Sequence, residues 1–140
     1  MKLDFALIAD HAYADDRGKF FILGQFQYIF AKQVPVVVRK LTLAMRLSAA
    51  RAETRDGPGY LELELVNADG QPIVPRSPKI AILWREVGPA APASVQSQVV
   101  AEMGNIPLPT FGDFSFMIFV NGTLVGSTSF NVQPMPVPPQ

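Results

Sequence analysis

An all-β fold is predicted for this chain: a two-sheet antiparallel β-sandwich, Ig-like or jelly-roll in topology, with about eight strands. Three observations carry that prediction. Apolar residues recur with period two from Leu3 to Val132. The 13 prolines and 10 glycines fall mostly at the breaks between alternating runs. No stretch shows a convincing apolar stripe at helical spacing.

The elements follow in order. "KLDFALIAD" places Leu3, Phe5, Leu7 and Ala9 on one face, and "HAYADDRG" reads as a polar loop ending at Gly18. "KFFILGQFQYIF" alternates through Phe20, Ile22, Phe26, Tyr28 and Phe30. Gly24 inside it marks a bulge or bend. "VVVRKLTLAMRLSA" sets Val37, Leu41, Leu43, Met45 and Leu47 against Lys40, Thr42, Ala44 and Arg46, and Arg39 interrupts its apolar face near the rim. Residues 49–59 form the longest polar connection.

"YLELELVN" points Leu61, Leu63 and Leu65 inward and Glu62 and Glu64 outward, and "ADGQP" is a turn with Gly70 at positive φ. "KIAILWREV" is apolar on both faces, as a covered strand is. "VQSQVVAEM" directs Val95, Ser97, Val99 and Ala101 to one side, a pattern that a helix also fits. Lys40 and Arg46 are expected opposite Glu62 and Glu64, on neighbouring strands at 41–47 and 61–65.

The last element is a hairpin around Asn121-Gly122. Two loops compete. A two-residue turn pairs Phe116 with Ser127 and puts the two apolar sets on opposite faces. A three-residue loop pairs Phe119 with Thr123 and Phe114 with Thr128, and it places Phe114, Phe116 and Ile118 beside Leu124, Thr128 and Phe130. The second is expected, with a bulge and Gly122 at positive φ. It leaves Met117, Phe119 and Val125 as a small apolar patch, the expected contact for a partner or a second copy. Asn121-Gly122-Thr123 matches the glycosylation sequon and is read only as a turn. Residues 1–132 are expected to form one sandwich domain, and 133–140 a disordered proline-rich tail.

Two stretches, "ADHAYADDRGKFFILGQFQYI" and "FGDFSFMIFVNGTLVGSTSFNV", resemble the opening and closing segments of a family of small uncharacterised bacterial proteins, a domain of unknown function with a β-sandwich fold. They cover less than a third of the chain. The resemblance implies the fold and a bacterial or phage origin, and it brings no catalytic residues.

Composition bounds the function. The chain has 140 residues, 49% hydrophobic and only 17% charged, with zero formal net charge. That balance provides no electrostatic footprint for nucleic acid. Low charge leaves more apolar surface than usual, which favours a protein partner or a homo-oligomer. Cysteine is absent, which excludes disulfides, thiolate zinc sites and cysteine nucleophiles. No run reaches the ~20 apolar residues that span a bilayer, and no secretory signal is visible, so no membrane association and a cytoplasmic location are expected.

The candidate chemistry is sparse. Asp10, Asp15 and Asp16, with His11 beside them and Asp113 able to approach in three dimensions, are weak candidates for a hard cation, but their spacing matches no EF-hand or zinc pattern. His11 is the one histidine, and no Gly-x-Ser-x-Gly elbow accompanies it. Glu62 and Glu64 read as a solvated face rather than a glycosidase pair. No phosphate loop is present, and no cofactor is expected. Phe26, Tyr28, Phe30 and Trp84 are read as core more readily than as a stacking platform, and no basic groove lies beside them. The expected function is a non-enzymatic protein-interaction or structural module; a carbohydrate- or small-ligand-binding sandwich is the alternative.

Overall fold

A computed structural model describes residues 1–136. Its ten strands are β1 (Lys2–Ala14), β2 (Phe20–Gln25), β3 (Tyr28–Ala31), β4 (Val36–Ala50), β5 (Tyr60–Asn67), β6 (Ile80–Ala81), β7 (Arg85–Glu86), β8 (Ser94–Leu108), β9 (Gly112–Val120) and β10 (Thr123–Pro134). Among the described residues, helix is confined to one short turn, Arg51–Thr54. The strands form two five-stranded sheets, ordered β2-β1-β4-β8-β7 (sheet A) and β3-β10-β9-β5-β6 (sheet B). The sandwich is as expected, with two more strands. Every pairing between strands is antiparallel except β3 with β10, which is parallel.

Period-two patterning explains the core. Leu41, Leu43, Met45 and Leu47 of β4 and Val99 of β8 face Leu61, Leu63, Leu65, Phe114, Phe116 and Ile118 from the other sheet, all buried. β8 is a central 15-residue strand, which settles the ambiguous "VQSQVVAEM" in favour of a strand, with Val95, Ser97, Val99 and Ala101 inward.

Two long apolar stretches divide, because each passes from one sheet to the other. Residues 20–31 are not one strand: β2 lies at the edge of sheet A and β3 at the edge of sheet B, with Phe26 and Gln27 between them. Residues 79–87 likewise split into β6 on sheet B and β7 on sheet A. Ile82, in the crossing, is fully buried, whereas Leu83 is exposed. Apolar residues on both faces of that segment therefore signal a crossing rather than a covered strand.

The expected neighbours 41–47 and 61–65 are in opposite sheets. The long connection after β4 carries the chain across the sandwich. Lys40 pairs instead with Glu102 at 3.6 Å, and Glu64 accepts from Arg76 Nε at 3.0 Å. Val37 is exposed and Val36 and Val38 are half-buried, because the inward parity of β4 changes at Arg39, opposite Asn105 at φ 52°.

The final hairpin keeps the expected core face by another route. Val120 pairs with Thr123 across a two-residue turn, with Asn121 at φ 51° and Gly122 at φ 81°. These are the paired left-handed residues of a type I′ turn. The parity then changes at a bulge between Leu124 and Gly126. Phe119 faces Leu124, Phe116 faces Thr128 and Phe114 faces Phe130, correcting the expected pairs. Gly126 lies at the bulge against Leu3: a Cβ there would stand 2.5 Å from Leu3 Cδ2. Strand β10 runs through Pro134, two residues beyond the expected end of the sandwich, and the Met135 amide donates to the Ala31 carbonyl at 2.9 Å. The rest of the expected disordered tail, 137–140, lies outside the described residues.

Candidate functional site

The first half of the segment read as a polar loop, "HAYADDRG", continues β1. Only 15–19 form the turn, where the Asp15 amide donates to the Lys19 carbonyl at 2.9 Å and Asp15 Oδ1 accepts from the amides of Arg17 (2.9 Å) and Lys19 (2.8 Å). β1 changes partner at Ala9. Residues 2–9 pair with β4, whereas 9–14 pair with β2. A bulge between Leu3 and Phe5 also divides the expected face: Leu3 opposes the inward Leu47, while Phe5, Leu7 and Ala9 turn to the outer side of sheet A, opposite Arg46, Ala44 and Thr42.

Past Ala9 the β1–β2 hairpin leaves the sheet as a two-stranded ribbon and folds back across its outer face. Three contacts fix this path. The Gln98 side chain donates to the Gly18 carbonyl, Arg85 Nη1 donates to the Asp16 carbonyl at 3.0 Å, and the Phe20 ring lies 5.9 Å from that of Phe5. The Arg46 guanidinium sits 5.2 Å from the centre of the same Phe5 ring, a cation–π contact. The bend is at Asp10 and Gly24. Gly24 has φ +69°, and the Asp10 carboxylate occupies the space a Cβ would need. Small residues let the ribbon lie close: Ala9, Thr42 and Ala44 are 0% exposed and Ala12 is 3% exposed.

Alternation then decides what the ribbon shows to solvent. Ala12 pairs with Ile22 and faces down. His11 pairs with Leu23 and Tyr13 with Phe21, all four facing up. Tyr13 is 46% exposed, Phe21 38% and Leu23 57%. The Tyr13 and Phe21 rings stack at 4.7 Å and 12°, and His11 flanks Tyr13 at 5.9 Å. The face gathers three exposed large apolar side chains on one ribbon. The sequence signal for it was the alternation of His11 and Tyr13 with Ala12 and Ala14, which the polar composition of the stretch obscured.

The expected patch is not assembled as expected. Met117 and Phe119 do share the outer face of sheet B, half-buried, but Val125 turns inward against the core. Leu124 replaces it on the outside. The Arg76 guanidinium caps the Phe119 ring at 4.0 Å while pairing with Glu64. The remainder of that outer face is mixed: Tyr28 and Phe30 of β3, expected in the core, are about half exposed on it beside polar side chains. Asn131 Nδ2 donates to Asp113 Oδ1 at 2.7 Å, and the hydroxyls of Ser115 and Ser129 are 2.7 Å apart. A depression of about 590 Å³ is lined there by Tyr28, Asp113, Ser127, Ser129, Asn131 and Gln133 among others.

The acidic candidates do not converge. Asp10 is committed to the bend and Asp15 to its turn, and Asp113 is bonded on the opposite sheet. Among the described residues no group of three or more His, Asp or Glu side chains is placed to share an ion. Glu62 and Glu64 face outward, Glu64 paired with Arg76. Trp84 donates its indole N–H to the Pro58 carbonyl at 2.7 Å and packs against the core. Among the described residues no helix is long and apolar enough to cross a membrane.

Comparison with known proteins adds the family. Solved structures similar to this chain include the following two. An alkylpurine DNA glycosylase from Pseudomonas fluorescens, bound to DNA containing an abasic site analog, matches with 12% identity over 91% of this chain, at a TM-score of 0.46. This chain spans only 30% of the glycosylase's length. An immunoglobulin-like protein from Pseudomonas aeruginosa matches with 20% identity over 94% of this chain and 95% of its own, at a TM-score of 0.42. No curated protein matches this chain. A family model matches residues 4–133, far beyond the two stretches that carry the resemblance in sequence. The chain therefore belongs to the family of unknown function DUF6941.

Proposed function

We propose that this chain is a non-enzymatic protein-interaction module that docks a protein on the upper face of its β1–β2 ribbon. One observation carries the reading: Tyr13, Phe21 and Leu23 stand side by side in solvent on an element that the fold holds firmly in place. Clustered exposed apolar side chains mark interaction surfaces, whereas single ones are ordinary. The ribbon is anchored beneath by Phe20 on Phe5 and at its tip by Gln98 and Arg85. The face is therefore presented on a supported element, which lowers the ordering cost of binding. The cytoplasm is the compartment we assign, supported by the cysteine-free composition.

The stacking of Tyr13 on Phe21 favours a protein over a sugar here, because each ring has spent one face on the other. Saccharide binding has support elsewhere. On the outer face of sheet B, Tyr28 is 54% exposed beside the depression that holds Asp113, Asn131 and the serines. That combination of ring, carboxylate, amide and hydroxyls suits sugar hydroxyls, and it is the second reading.

The test compares the wild type with Tyr13→Ser plus Leu23→Lys in capture from a lysate of the native host. The double variant is expected to lose the captured protein while its circular dichroism is unchanged. Equal capture by both overturns the reading. Tyr28→Ala on a glycan array tests the second one: binding by the wild type that the variant loses would support it.

A further inference from the structure

We infer that the cleft beneath the tip of the β1–β2 ribbon binds a small oxyanion, a phosphate or carboxylate group, held between Arg17 of the turn and Arg85 of β7. The site is separate from the upper face of the ribbon and does not rest on its docking role.

Alternation and the path of the ribbon build the cleft. The inward set of β8 includes Val95, Ser97 and Val99, so Gln96 and Gln98 point to the outer side of sheet A. Arg85 pairs with Gln96 and Arg46 with Gln98, and both arginines share that side. The ribbon tip lies over them, tied by the Gln98 side chain to the Gly18 carbonyl and by Arg85 Nη1 to the Asp16 carbonyl. Between tip and sheet a cleft of about 120 Å³ remains. Arg17, Gly18, Arg85, Glu86, Gln96 and Gln98 are on its wall.

Positive charge is in excess there. Among the described residues neither Arg17 nor Arg85 pairs with a carboxylate. Arg85 commits one of its N–H groups to Asp16, and the rest of its donor fork is free among the described residues. Glu86, the carboxylate on the wall, is engaged by Arg51 at 2.8 Å. Asp16 gives Arg85 its carbonyl, while its carboxylate is in no ion pair among the described residues and is not on the wall. Opposite Gln98 stands a third guanidinium, Arg46, whose Nε is buried without a hydrogen-bond partner. Nearby low-dielectric walls strengthen the field of such charges.

These donors choose the ligand class. A guanidinium presents a planar fork of N–H groups that matches the oxygens of carboxylate and phosphate. Two such forks, carried by different elements, line one space, and the Gln96 side-chain amide adds a neutral donor. A cation would be repelled by both arginines, and an apolar ligand would strip water from polar groups without replacing its hydrogen bonds. The volume equals the share of about four waters at roughly 30 Å³ each. That is room for one oxyanion group, with the body of any larger anion outside. Because Arg17 belongs to the ribbon and Arg85 to the sheet, the bound group bridges the two and fastens the tip.

Titration of the isotope-labelled full chain with sodium phosphate, followed by NMR at an ionic strength held constant with sodium chloride, tests this. Saturable shifts are expected at the Gly18 amide, at the Gln96 side-chain amide and at the Arg17 and Arg85 side-chain N–H groups, with half-saturation at roughly 1–10 mM for the free ion. Arg17→Gln should raise that concentration at least about tenfold and leave the circular dichroism unchanged. Arg39→Gln, near the other end of β4 from Arg46, should bind as the wild type does. Tyr13→Ser plus Leu23→Lys should also bind normally, which separates this site from the docking face. Amide exchange at 15–19 should slow at saturating phosphate. A second titration with sodium acetate identifies the group: saturation by both ions assigns either oxyanion, and saturation by phosphate alone assigns phosphate. Shifts that never saturate overturn the inference, as does binding that Arg17→Gln leaves intact or that Arg39→Gln weakens equally. Exchange at 15–19 that is unchanged at saturation overturns the bridge.

Discussion

The two sheets treat their outer faces oppositely. The outer face of sheet A is apolar and covered: Phe5, Leu7, Ala9, Thr42 and Ala44 lie beneath the ribbon. The outer face of sheet B is mixed and open, with Ser127, Ser129, Tyr28 and Phe30 in solvent and Phe119 capped by Arg76. Both inner faces look alike, as alternating Leu, Ile, Val and Phe. An apolar outer face therefore reports a third layer, and here that layer comes from the same strand that helps to build the sheet. The cover in turn relocates the exposed apolar surface from the sheet to the top of the ribbon, where Tyr13, Phe21 and Leu23 stand.

If this contrast is right, equal substitutions on the two faces have unequal effects. The largest is expected for Ala44→Asp, which puts an unpaired carboxylate under the ribbon at a site 0% exposed. It should cost about 3–5 kcal/mol in urea unfolding, against less than about 0.5 for Ser127→Asp on sheet B. Equal costs would mean that the ribbon does not cover the sheet. Phe5→Ala comes next. It removes the ring that carries both Phe20 and Arg46, and it should cost about 2–3 kcal/mol and speed amide exchange at 15–19. Unchanged exchange there would show that the tip contacts of Gln98 and Arg85 hold the ribbon alone. Arg76→Ala on sheet B sharpens the other half of the comparison. It takes a partly exposed cation from Phe119 and Glu64, so a loss of only about 0.5–1 kcal/mol is expected.

The smallest effect belongs to Glu53, where the end of β4 meets the N-terminus. The Met1 amine and the Ala50 amide hold its carboxyl below the ordinary value of 4.5. A depressed folded pKa stabilises the folded state above the unfolded pKa, and the contribution is lost as pH falls through the folded value. Wild type and Glu53→Gln should therefore differ slightly at neutral pH and converge below that value. Thermal melts over the acid range read this directly, and a difference that persists at the lowest pH would assign the effect to packing instead.

Much of the fold was legible in order of chain. The Leu61, Leu63 and Leu65 face, the turn at Gly70 and the Phe114, Phe116 and Ile118 face all follow from period two and turn chemistry. The candidate site was not. His11 and Tyr13 looked like loop residues because the stretch around them is polar, and the alternation through Phe20 and Ile22 left Phe21 and Leu23 unassigned. The expected patch at Met117, Phe119 and Val125 failed at one residue. A bulge turns Val125 inward and Leu124 outward, and beside it Gly126 packs against Leu3, more than a hundred positions away in the chain.

The sequence by itself determined which residues alternate, where the chain turns, and that the inner faces of two sheets would meet. Those are local consequences of side-chain polarity and of the few residues that tolerate left-handed backbone. Only the tertiary structure decided which sheet each strand joined, that 20–31 and 79–87 would cross between sheets, and that the first hairpin would fold over its own sheet. Period two says that a strand has two faces; what covers each face depends on contacts between residues far apart in sequence, such as Phe5 with Phe20 and Gly18 with Gln98.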